Sequence, residues 1–177
     1  MLPRVTLHLP RPLPEAGPPL RSRAFARALA RAGARGGEVN LILTDAAEVR
    51  RLNREFLRKD RDTDVIAFDY TEPERSFKPR RNGRHPGLPE SPSAPPRASA
   101  VRRSIWGDVY VSEEAALEQA RERGIPPREE LARLFLHGCL HLLGYRDGTR
   151  AERARLETVQ ESLLAHALAP ARSAKRR

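Results

Sequence analysis

The sequence predicts an α+β domain, a small mixed sheet of about four strands packed with about five helices. Three observations lead there: short apolar runs with period two, longer stretches with apolar residues three and four apart, and the interleaving of the two along the chain. Residues 5–9 (VTLHL) alternate and predict the first strand, followed by a proline-rich connection ending at Pro19. Residues 20–32, rich in alanine and arginine with Phe25 and Leu29 four apart, predict a helix, and the GARGG run after it a stop. Residues 39–44 (VNLILT) predict the second strand. Thr44 or Asp45 then caps a helix with Val49, Leu52 and Phe56 on one face. Two more strands follow at residues 63–70 and 108–112. Ser112 with Glu113 and Glu114 starts the next helix, and Gly124 ends it. Pro126 and Pro127 open a helix running to Gly144, apolar nearly all round from Leu134 to Leu143 and so predicted to be buried. Thr149 and Glu152 form a capping box for a last helix with Leu156, Val159 and Leu163 inside.

The chain has 177 residues, 39% hydrophobic and 32% charged, which suits one domain with additional unfolded length. No apolar stretch approaches the roughly 18–20 residues that a membrane span needs, and the proline-interrupted N-terminus does not read as a signal peptide. With Cys139 the only cysteine, no intrachain disulfide forms and a cytoplasmic location is expected. Residues 71–106 hold seven of the 16 prolines, and the stretch RNGRHPGLPESPSAPPRASA within them has almost no large apolar side chain, so they read as a disordered insertion within a single domain of residues 1–170. That segment, with eight basic against three acidic residues, and the basic tail 171–177 carry nearly all of the +10 charge. Contact with RNA phosphates and plain solvated charge both fit that placement.

The chemistry concentrates in FLHGCLHLLGYRDGT. His137 and His141, four residues apart on a helix, lie about 40° apart around its axis, so both imidazoles can reach one ion. Burying two histidines on an apolar helix is costly unless each ring nitrogen finds a partner, and a divalent metal supplies one. Gly144 can turn the chain with positive φ and bring Asp147 back as a third ligand. Three protein ligands leave a fourth position for water, the arrangement of a catalytic zinc. Such a pair alone is also compatible with a structural role, and Asp147 alone with a turn ahead of Thr149. Cys139, about 200° round the helix from His137, should face the core. His8, His85 and His166 read as incidental.

The segment HGCLHLLGYRD resembles the YbeY endoribonuclease signature HGxLHLxGYxH at every fixed place but the last. Two further blocks agree: LNREFLRKDRDTDVIAF is similar to LNxxYRxKDxPTDVLSF, and GDVYVS to GDIxIS. The resemblance implies one zinc ion per chain on His137, His141 and, in place of the family's third histidine, Asp147. It implies a metal-dependent, single-strand-specific endoribonuclease whose activated water hydrolyses RNA phosphodiesters in small-subunit (16S) rRNA 3′-end maturation and ribosome quality control. Single-stranded RNA and the small ribosomal subunit are the implied partners. The family arginine aligns with Leu57, which cannot hold a phosphate, so Arg58 and Lys59 become the candidates for that task. The family serine before phenylalanine is Ala67 here. Two other readings stand beside this one. A zinc metalloprotease of the HExxH type needs a glutamate where Gly138 stands. A zinc-stabilised, non-catalytic RNA-binding assembly factor would tolerate Leu57.

Overall fold

The computed structural model describes residues 1–10, 19–58, 60–71 and 103–169. Lys59, His85 and the tail beyond 169 lie outside the described residues, as does the expected insertion apart from its two ends. The elements run β1 (Arg4–His8), α1 (Ser22–Arg31), β2 (Ala34–Thr44), α2 (Ala46–Leu57), β3 (Val65–Asp69), β4 (Arg103–Ser112), α3 (Glu113–Arg123), α4 (Pro127–Leu142) and α5 (Arg150–Leu168). Among the described residues this is one four-stranded sheet in the order β1-β2-β4-β3, with five helices. β1, β2 and β4 are parallel, and β3 joins the edge antiparallel to β4.

Alternation along the strands divides the sheet into two faces. Val39, Leu41 and Leu43 of β2 and Ile105, Val109 and Val111 of β4 are buried in one core with Phe25 and Leu29 of α1, Phe135 and Leu140 of α4, and Leu156 and Leu163 of α5. On the other face Val49 and Leu52 of α2 cover Ile66, with Phe68 and Tyr110 packed beside them.

The expected caps are present. Asp45 Oδ1 accepts from the Glu48 amide, Ser112 Oγ from the Ala115 amide, and Thr149 and Glu152 complete their reciprocal box. Three expectations need correcting. The GARGG run does more than stop α1: β2 starts at Ala34, and Gly36 and Gly37, both at positive φ, form a bulge in its pairing with β4. A Cβ on Gly37 would sit 2.0 Å from the Ile105 carbonyl oxygen, so only glycine allows that approach. β4 begins at Arg103, so residues 103–106, assigned by composition to the insertion, are sheet; their pairing with β2 overrides the local sequence. Phe56, expected inside, is 49% exposed and meets Phe68 edge-on at 5.3 Å between ring centres.

Two helices are tied together by a buried carboxylate. Glu130 of α4, fully buried, accepts from Arg123 of α3 and from Arg133, which also pairs with Glu161 of α5. The charge is tolerated there because both carboxylate oxygens are satisfied.

Candidate metal centre

Helix α4 carries the site. Leu134, Phe135, Leu136, Cys139, Leu140 and Leu142 anchor it in the core, leaving His137 and His141 half-buried along one line of its surface. Cys139 is fully buried, as its helical position requires, and burial pushes its thiol up to about 12. Gly138 lets the helix lie hard against the sheet: a Cβ there would come within 2.4 Å of Val109 Cγ1 and 3.2 Å of Val65 Cγ2. A glutamate at this position has no room, which removes the metalloprotease reading on steric grounds as well as by sequence.

The helix ends in a Schellman turn. The Gly144 amide, from a residue at φ 89°, donates to the His141 carbonyl, and the Tyr145 amide to that of Leu140. The turn brings the Tyr145 carbonyl to 3.0 Å from His141 Nδ1. His137 Nδ1 meets Gln160 Oε1 of α5, also at 3.0 Å. The Tyr145 carbonyl can only accept, so His141 Nδ1 donates and its Nε2 is free to ligate; Gln160 Oε1 places His137 in the matching orientation. The two Nε2 atoms are 3.0 Å apart, and Asp147 Oδ2 is 4.0 Å from that of His141. The three potential ligand atoms lie within 4.8 Å of one another.

The donor set fits a divalent metal. An ion between the Nε2 atoms would be held by both rings at once while each Nδ1 keeps its own hydrogen bond. Tetrahedral zinc with ligands at about 2.1 Å sets them roughly 3.4 Å apart, close to the distances here, and the half-exposed Asp147 carboxylate can close the rest. Burial, reinforced by His137, depresses the proton affinity of His141, while Asp147 and the Tyr145 carbonyl act in the opposite sense. The depressed affinity keeps Nε2 available as a ligand.

A cleft of about 400 Å³ opens beside the three residues. Its other lining residues are Asn53 and Leu57 of α2, Arg61, Thr63 and Asp64 of the loop that follows, and Val65 to Ala67 of β3. Asn53, buried, donates from Nδ2 to the Arg61 carbonyl at 2.8 Å, and Gln119 donates to the Asp64 carboxylate at 3.0 Å. Arg58 ends α2 in the left-handed conformation and does not line the cleft. His8 bonds Asn40 on the far side of the sheet, and His166 turns to its own helix at the Ser162 carbonyl.

The family model described as Endoribonuclease YbeY matches residues 21–168, which include both histidines, Asp147 and the cleft wall. The chain belongs to the YbeY endoribonuclease family. Proteins named Endoribonuclease YbeY include one from Syntrophotalea carbinolica, 35% identical over 130 residues, 72% of this chain and 71% of that one. Another, from Moorella thermoacetica, is 35% identical over 145 residues, 81% of this chain and 82% of its own. A third, from Francisella philomiragia, is 28% identical over 146 residues, covering 82% and 79%. Within the YbeY pattern this chain keeps the two helical histidines and departs at Asp147 and Leu57. Gln160, Asn53 and Arg61 carried no expectation from sequence. The available signal was a lone neutral polar residue on a buried helical stripe: Gln160 follows Leu156 by four, and Asn53 follows Val49 by four.

Proposed function

We propose that this chain is a metal-dependent endoribonuclease that cuts single-stranded RNA in the cleft between α4 and β3. Its task in this reading is maturation of the small-subunit rRNA 3′ end and ribosome quality control in the cytoplasm, with one zinc per chain on His137, His141 and Asp147. The observation that carries it is the pair of Nε2 atoms facing each other at the cleft, each aimed by a hydrogen bond at its own Nδ1. A zinc ion there supplies Lewis acidity, making a nucleophile of water and neutralising charge on the phosphate.

The remaining work belongs to the chain. Gln160 and the Tyr145 carbonyl fix ring orientation and tautomer. Asp147 adds negative charge, which lowers the electrophilicity of the centre relative to three histidines. A cleft of about 400 Å³ with mixed polar and apolar walls suits an unstacked strand, whose bases are free to splay out, which supports the single-strand preference. In the chain's organisation, residues 1–170 form the one domain, with the proline- and arginine-rich insertion inside it.

The test is metal content of purified wild type and His141→Ala, together with cleavage of a single-stranded RNA with and without chelator. About one zinc per chain, lost with His141, and chelator-sensitive cleavage are expected. Leu57 favours a second reading, an RNA-binding assembly factor that does not cut. Zinc and RNA binding without cleavage would select it.

A further inference from the structure

A phosphodiester in the cleft would carry negative charge past Asp64 and Asp147, and among the lining residues Arg61 alone is a lysine or arginine. In sequence Arg61 looks neutralised, since Asp60 and Asp62 flank it. The fold removes both competitors. Arg50 of α2 takes Asp60 at 3.0 Å and Asp62 at 3.6 Å, gathering the two aspartates on one side of the loop. Arg61 itself is exposed and lines the cleft. Its backbone is pinned by the buried Asn53 amide, and among the described residues it has no ion-pair partner. A cation held by its main chain, flanked by acids that are engaged elsewhere, and lining the same cleft as three metal-ligand residues is placed to meet a ligand there.

We propose that Arg61 is the phosphate-holding residue of this cleft, gripping a phosphodiester of the RNA strand through its guanidinium fork. The proposal rests on the nuclease reading above. Planar bidentate donation suits a phosphate oxygen pair and would stabilise charge that grows as water adds to phosphorus. Leu57, one turn back on α2 and also in the wall, supplies an apolar surface there and leaves the charge to Arg61.

The experiment uses the full chain. Binding of a labelled single-stranded oligoribonucleotide is followed by fluorescence anisotropy in chelator across a salt series, and cleavage kinetics are run with zinc restored. Arg61→Ala should lower kcat/KM about 10- to 100-fold, the worth of one charge-assisted bond, and reduce the log–log salt slope by about 0.7, one phosphate of a single strand. Arg61→Lys should recover the slope but only part of the rate. Arg121→Ala, exposed on α3 and outside the cleft lining, should match wild type in both. A wild-type slope and rate in Arg61→Ala would overturn the proposal while leaving the nuclease reading intact, and so would loss of bound zinc in that variant. A wild-type chain that binds no RNA at all would overturn both.

Discussion

His137 and His141 bring their Nε2 atoms to 3.0 Å of each other, while the hydrogen bond at each Nδ1 turns those two nitrogens toward a shared cation. Metal should therefore stabilise the fold as well as complete the site. At zinc a hundredfold above its dissociation constant the gain is about 2.7 kcal/mol, or roughly 5–10 °C in a chain of this length. Differential scanning calorimetry with and without chelator measures it. Equal melting temperatures would remove the ion from the site.

Gln160 matters through one oxygen. Gln160→Glu keeps an acceptor for His137 Nδ1 and should keep zinc affinity, whereas Gln160→Leu should lower it about 10- to 100-fold. Competition titration with a zinc-binding dye distinguishes the two, and equal affinities would show that the contact orients nothing.

The metal-free chain should weaken in acid. His141 binds its proton less readily folded than unfolded, so below about pH 6.5 the unfolded chain holds more protons and stability drops until the folded-state value is passed. Above that range the group makes no difference. Urea midpoints at pH 7.5 and 5.5, in chelator, should separate more for wild type than for His141→Gln.

Gly138 sets the spacing between helix and sheet. Gly138→Ala drives a methyl into Val109 and should cost about 1–3 kcal/mol by overpacking. Adding Val109→Ala should recover part of that loss. Additive melting temperatures in the double variant would mean that the two side chains do not compete for space.

The histidine pair, the caps and the burial of Cys139 were legible because each depends on residues within one helical turn. Their partners were not. Gln160 lies 23 positions from His137, and Arg50 reaches Asp60 across a turn whose charges, read linearly, only cancel. The start of β4 was hidden for a similar reason: Arg103 and Ser104 carry no strand signature, and their place is imposed by β2 alongside. Phe56 followed the apolar spacing but falls beyond the edge of the sheet that α2 covers, where only the Phe68 ring meets it.

The Schellman turn gives the centre an uneven tolerance to sequence drift. The Gly144 amide holds the His141 carbonyl, the Tyr145 amide that of Leu140, and the Tyr145 carbonyl the His141 ring, so no bond that fixes the second imidazole involves the side chain at 147. Asp147 stands past those bonds, exposed, its carboxylate held by no hydrogen bond that the turn requires. In the zinc reading, the third ligand can thus change from carboxylate to imidazole without rebuilding the other two, which would retune the reactivity of the centre through one position.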